Sequence, residues 1–191
     1  MGMSCMIQAR EYSEKRTFIA PTWARKFTKE DLPHRYPNLE SDGENFWYME
    51  LGGMQDTIRD TEEIRDELLR VAYGIWDFLK NDPENQERNQ YFDIDWIGIL
   101  PGKRESRRYV GDYVMTQSDV RAGGHFEDLV AYGGWSMDDH HPGGIDVKEP
   151  PTTYHPAPSP YGIPYRCLYS QNVDNLMFAG RNISVSHVAM S

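Results

Sequence analysis

The sequence predicts an α+β fold: a mostly antiparallel or mixed β-sheet with one long helix packed on it. Three observations carry this. A single run of about 20 residues shows helical periodicity, several short apolar or aromatic runs end in glycine or proline, and no alternation of strand and helix marks βαβ units.

The helix is placed at Asp60–Lys80. Ile64, Leu68, Val71, Ile75 and Leu79 recur at spacings of three and four and so share one face. Asp60 followed by Glu63 suggests a variant capping box, Asp66 and Arg70 can pair one turn apart, and Asn81-Asp82-Pro83 ends the run. This is a packing helix, not a site.

The strands follow from composition and punctuation. Cys5–Ile19 suits an extended segment ending before Pro21, and 36–43 is a turn-rich loop. Asn45–Leu51, Ile94–Leu100, Tyr109–Met115 and Leu129–Trp135 read as strands, and Asn175–Gly180 as a short apolar one. From Pro142 to Pro164 the chain is rich in Pro and Gly and reads as a long ordered loop anchored by Tyr154, Tyr161 and Ile163. A helix is expected to open near Ser184.

With 191 residues the chain fits one ordinary domain, or one domain and part of another. The 12 Tyr, 7 Phe and 5 Trp supply apolar surface for a core. Thirty acidic against 20 basic residues give a net charge of −10, which argues against sequence-independent nucleic-acid binding. No run approaches the ~20 apolar residues of a membrane helix. No targeting segment is read, which leaves the cytoplasm as the default compartment. Cys5 and Cys167 are far apart and outside any CxxC pair, the pattern of two buried thiols rather than a zinc site or redox motif.

Three stretches can carry chemistry. Lys103–Arg108 is a basic knot in an acidic chain. If it runs on as a strand, Arg104 and Ser106 face one way and Glu105 and Arg107 the other. It suits carboxylates or phosphates, or is a solvated edge strand. Asp138-Asp139-His140-His141, with His125 and His155 nearby in sequence, offers metal-binding or proton-moving groups. Its flanking Gly and Pro residues and the absence of HExxH spacing favour loop hydrogen bonding or a substrate contact over a metal or a hydrolase. Finally, NLMFAGRNISVSHVA joins an apolar strand through Gly180 to a Ser-rich helix start, either an anion-facing turn or ordinary architecture.

In this order, RESRR (Arg104–Arg108), GGWSMDDHH (Gly133–His141) and IPYRCLYS…NLMFAGRNISVSHVA (Ile163–Ala189) resemble the blocks of a family of FAD-dependent oxidoreductases. The resemblance covers most of the chain, from SCMIQARE onward. It implies a fragment of a two-domain flavoprotein, with residues 1–170 forming a substrate-side domain. Residues 171–191 would form the strand returning to the flavin domain and the start of its helix. It places Arg104, Glu105, Arg107 and His140 in the cavity between flavin and substrate, and Gly180, Arg181, Ser184 and His187 near the flavin.

No GxGxxG is present. The expectation is therefore that FAD belongs to the complete parent, whose substrate is small and polar, and that this chain alone binds none and is inactive. Met1 is read as an internal methionine of a longer protein, and self-association through exposed apolar surface is expected. The alternative is a stand-alone module binding carbohydrate or another small ligand through Trp47, Trp96, Trp135, Tyr154 and Tyr161.

Overall fold

A computed structural model describes residues 1–39 and 44–190. The chain divides into two compact units, Met1–Arg104 with His141–Pro151, and Glu105–His140 with Thr152–Ser191. Small antiparallel sheets with one long helix make the fold α+β, as the periodicity and punctuation predict.

The first unit contains β1 (Met3–Ser4), β2 (Ile7–Glu11), β3 (Glu50–Leu51), α1 (Thr61–Asn81), β4 (Phe92–Ile97) and β5 (Gly102–Lys103). β3, β1 and β5 form an antiparallel sheet in that order, and β2 pairs with β4 across a bulge at Gln8/Ala9. α1 buries the predicted stripe Ile64, Leu68, Val71, Ile75 and Leu79, and adds Trp76 and Phe78. With Met3, Cys5, Leu32 and Phe46 these residues make the core.

The ends of α1 differ from expectation. The Asp60 carboxylate accepts from the backbone N–H of Asp56 at 3.1 Å and caps nothing inside the helix. Arg70 pairs with Glu67, and Asp66 with its neighbour Arg65. At the far end Lys80 is buried, its ammonium donating to the carbonyls of Asn89, Gln90 and Phe92 at 2.8, 3.3 and 2.6 Å. Those bonds offset the cost of removing the charge from water.

The second unit contains α2 (Gln117–Arg121), β6 (Leu129–Gly133), β7 (Met137–His140), β8 (Thr152–His155), β9 (Tyr161–Pro164) and α3 (His187–Met190). β6 pairs with β9 and β7 with β8, both antiparallel. Met115, Val120, Met137, Cys167 and Val185 form its core.

Four expectations are corrected. Residues Glu44–Tyr48 form a 3-10 helix, leaving only Glu50–Leu51 extended. The 109–115 segment threads irregularly between two others, Tyr109 bonding to Asn182 and Tyr113 to Arg166, with one bridge at Met115. The 175–180 segment makes a single bridge, Met177 to Tyr169. The Pro-rich stretch holds β8 and β9, because its Thr-Thr-Tyr and Tyr-Gly-Ile runs find partners in distant strands. The loop predicted at 36–43 lies partly outside the described residues. Both cysteines are free and buried. Among the described residues no helix is long and apolar enough to cross a membrane.

Candidate functional site

β5 ends at Lys103, so the alternation expected through RESRR does not occur. Arg104 turns instead to Glu50, donating from Nη1 to Oε1 at 2.5 Å, and the Ser4 hydroxyl reaches the same oxygen at 3.3 Å. This pair lies within the first unit. Arg107 is exposed.

In the second unit Glu105 meets Arg108 and His187. One oxygen, Oε1, accepts from the Arg108 guanidinium, and the other lies 2.7 Å from His187 Nδ1. Burial opposes ionisation of Glu105, but the hydrogen bonds it accepts, that from His187 the largest, prevail and hold its pKa down at about 2.

MDDH is a strand, not a loop, because it pairs along its length with Thr152–His155. Strand alternation therefore sorts its side chains. Asp138 and His140 fall on one side, with His140 Nε2 3.2 Å from Asp138 Oδ2 and the imidazole buried. Asp139 points the other way and places Oδ1 3.1 Å from His187 Nε2. His141 belongs to the first unit, where its Nδ1 accepts from the Gly143 N–H.

His187 opens α3, and its ring nitrogens face different carboxylates, Glu105 on Nδ1 and Asp139 on Nε2. Only the doubly protonated ring can donate to both at once. Glu105 from RESRR, Asp139 from MDDHH and His187 from the closing block thus meet at a single imidazole. Asp139 and Arg108 are absent from the residues singled out by resemblance. Reading MDDH as a strand rather than a loop is the signal that would have set Asp139 apart from its neighbours. Among the described residues no group of three or more His, Cys, Asp or Glu side chains is arranged to hold a metal.

The remaining expected cofactor residues separate by depth. Gly180 and Arg181 line a cleft of about 280 Å³ with Met115, Ile163, Ile183, Val185, Ala189 and Met190 among its walls. Gly180 has φ +74° and nothing within 4 Å of where a Cβ would stand, so glycine serves the backbone angle rather than crowding. Ser184 faces inward and is wholly buried, its Cβ 3.2 Å from where a Cβ on Gly111 would lie. Its Oγ has no hydrogen-bond partner among the described residues. Of the aromatics considered for ligand contact, Trp47 and Trp96 sit in the first unit and Trp135, Tyr154 and Tyr161 in the second.

The widely spaced motif blocks of this α+β chain converge on one imidazole, and the closing block that supplies it also lines an apolar cleft. The family model for FAD dependent oxidoreductases matches residues 4–191, and the chain belongs to that family. No curated protein and no solved structure matches it. Membership gives the chain an oxidoreductase-type function that depends on FAD.

Proposed function

We propose that this chain forms the substrate-side part of a larger FAD-dependent oxidoreductase, oxidising or reducing a small polar substrate, and that alone it does not turn over. The observation that carries the reading is the meeting of Glu105, Asp139 and His187, which ties together the three blocks of the family resemblance. A cluster of charge around one half-exposed imidazole suits a reaction in which a proton must be held or moved.

The cleft beside Gly180 and Arg181 fits part of the cofactor. Its walls are mainly apolar, which suits a flat ring system, and Arg181 brings a cation to its edge. Its volume of about 280 Å³ falls just below the ~300–1,000 Å³ of pockets that enclose drug-sized ligands. A dinucleotide is larger still, and the sequence offers no GxGxxG turn for its pyrophosphate. Gly180, Arg181 and the α3 backbone would hold the flavin end, with Ser184 bracing the turn from inside. Residues 171–191 would then face the flavin half of the parent, and residues 1–170 the substrate.

When bound, FAD supplies acceptance or donation of hydride. The chain's own residues then do the rest. Arg107, exposed, suits an anionic or polar group of the substrate. Within the second unit His140 is held in its Asp138 contact. His187 sits between Glu105 and Asp139, where it can hold or move a proton. On this reading Tyr109, Val110, Val173, Leu176 and Met177, all exposed, belong to the face that meets the rest of the parent, and the isolated chain self-associates through it.

Titration with FAD, followed by absorbance and flavin fluorescence, tests the proposal. The purified chain should be colourless, bind no FAD tightly and reduce no dye acceptor. The polypeptide that includes the flanking coding sequence should bind one FAD and be reduced by its substrate. A yellow isolated chain with stoichiometric FAD would overturn the division of the cofactor site. A flanked polypeptide that binds no flavin would overturn the redox reading.

A further inference from the structure

We infer that His187 is an acid–base residue that exchanges its proton through Nε2, and that Glu105 is the residue that positions it by fixing Nδ1 as the N–H. The reaction in which this proton moves rests on the oxidoreductase reading above. The assignment of atoms rests on the side-chain geometry alone.

The two carboxylates do not hold the ring equally. Glu105 Oε2 lies 2.7 Å from Nδ1, whereas Asp139 Oδ1 lies 3.1 Å from Nε2. The Glu105 side chain is 17% exposed against 31% for Asp139, so its interaction is less screened by water. Arg108 grips the other oxygen of Glu105, fixing the carboxylate in place. Among the described residues the only ion-pair partner of Asp139 is His187. Glu105 also stays ionised far into acid, so it never competes for the ring's proton at neutral pH.

A neutral imidazole has one N–H and one lone pair. The N–H remains where the firmer carboxylate accepts it, on Nδ1 facing Glu105. The lone pair is then on Nε2, against the Asp139 carboxylate. That contact is repulsive, and it is relieved when Nε2 takes up a proton or Asp139 turns aside. Nε2 is therefore the reactive nitrogen, and the ring, 40% exposed, is accessible to a substrate. A carboxylate that fixes the tautomer of an imidazole so that the opposite nitrogen does the chemistry is a recurring device in enzymes.

The step balances. In the oxidising direction the substrate's O–H bond breaks and its proton goes to Nε2. FAD, when bound in the parent, would supply the acceptor for the hydride of the adjacent C–H bond as the C=O bond forms. In the reducing direction Nε2–H returns the proton to the new alkoxide. Asp139 accepts from Nε2–H between turnovers and keeps the charged ring paired.

The tautomer is observable without cofactor, by long-range 1H–15N correlation NMR of the histidine-labelled chain, recorded where the 15N shifts themselves report a neutral ring. The expected spectrum for His187 has a pyrrole-type Nδ1 and a pyridine-type Nε2. Glu105→Ala should abolish that preference, and Asp139→Ala should leave it intact. A wild-type His187 with its proton on Nε2 would overturn the inference, as would an unchanged tautomer in Glu105→Ala. Should Glu105→Ala fail to fold, the wild type and Asp139→Ala decide together: a proton on Nε2 in the wild type that moves to Nδ1 in Asp139→Ala makes Asp139 the positioning residue and refutes the assignment. Failure of the flavin titration leaves this spectrum untouched, so the two readings fail separately.

Discussion

Glu50 and Arg104 meet at 2.5 Å, with the Glu50 side chain only 2% exposed. Glu50 lies on β3, an edge strand of the β3–β1–β5 sheet, and the Ser4 hydroxyl on the neighbouring β1 reaches the same carboxylate oxygen. Removing the arginine would leave a buried carboxylate without its main counter-charge. Arg104→Met should therefore cost about 3–5 kcal/mol in urea unfolding. Replacing Glu50 and Arg104 together with apolar residues of similar volume should cost less than Arg104→Met alone. Equal losses would show that the pair is not the source of the stability.

Gly124 and Gly162 press their backbones together in the second unit. A Cβ on Gly124, which has φ +61°, would stand 2.2 Å from the Gly162 carbonyl oxygen, and one on Gly162 would stand 2.1 Å from that of Gly124. Both are backbone obstacles that no side-chain rotation clears. Gly124→Ala should destabilise by about 1–3 kcal/mol from its strained φ alone, with crowding added. Thermal unfolding of both alanine variants checks this, and a wild-type melting temperature in either would contradict the close approach.

Acid should weaken the second unit through two carboxylates. Hydrogen bonds from Arg166 hold Asp128 down at about 2, and Glu105 is held at about 2 by the hydrogen bonds it accepts, that from His187 the largest, despite its burial. Both folded values lie below the ~3.9 and ~4.3 of free Asp and Glu, so the stability they contribute is full above about pH 4–5. It is lost as pH falls toward 2. Urea midpoints across that range should drop, and Asp128→Asn should flatten the slope. The Asp128 contribution should also shrink in high salt, because the pair is open to solvent.

Self-association is the expected behaviour of the isolated chain. Tyr109 stacks on Phe178 with ring centroids 4.6 Å apart, beside a cleft of about 530 Å³ that Val110, Val173 and Leu176 also line. Light scattering over a concentration series should report a rising mean mass, and Leu176→Glu with Met177→Lys should reduce it. A monomer at every concentration would count against the apolar face as a contact surface.

α1 was legible because five apolar residues keep helical spacing over four turns, a signal held within the chain's own neighbourhood. The strands were less so, since each needs a partner set by tertiary structure. Asn45–Leu51 has the aromatic content of a strand, yet Glu44–Tyr48 coils as a 3-10 helix. β8 and β9 sit among prolines and glycines that mask them, and only β7 and β6, many residues away, give them ladders. The same masking hid the site. Once MDDH is a strand, Asp138 and Asp139 must point in opposite directions, and only Asp139 turns to His187. Arg108 stood out only as part of the basic knot, because its pairing with Glu105 depends on a local bend that brings it back three residues.

The two cysteines give each unit its own internal clock. Cys5 is sealed in the core of the first unit, where burial lifts its thiol to about 11, and Cys167 is sealed in that of the second, its thiol also raised. At neutral pH neither sulfur reacts until its surroundings open, because the thiolate is the nucleophile. Rates of alkylation at the two positions, resolved by mass spectrometry, would therefore time the breathing of each core separately within one molecule.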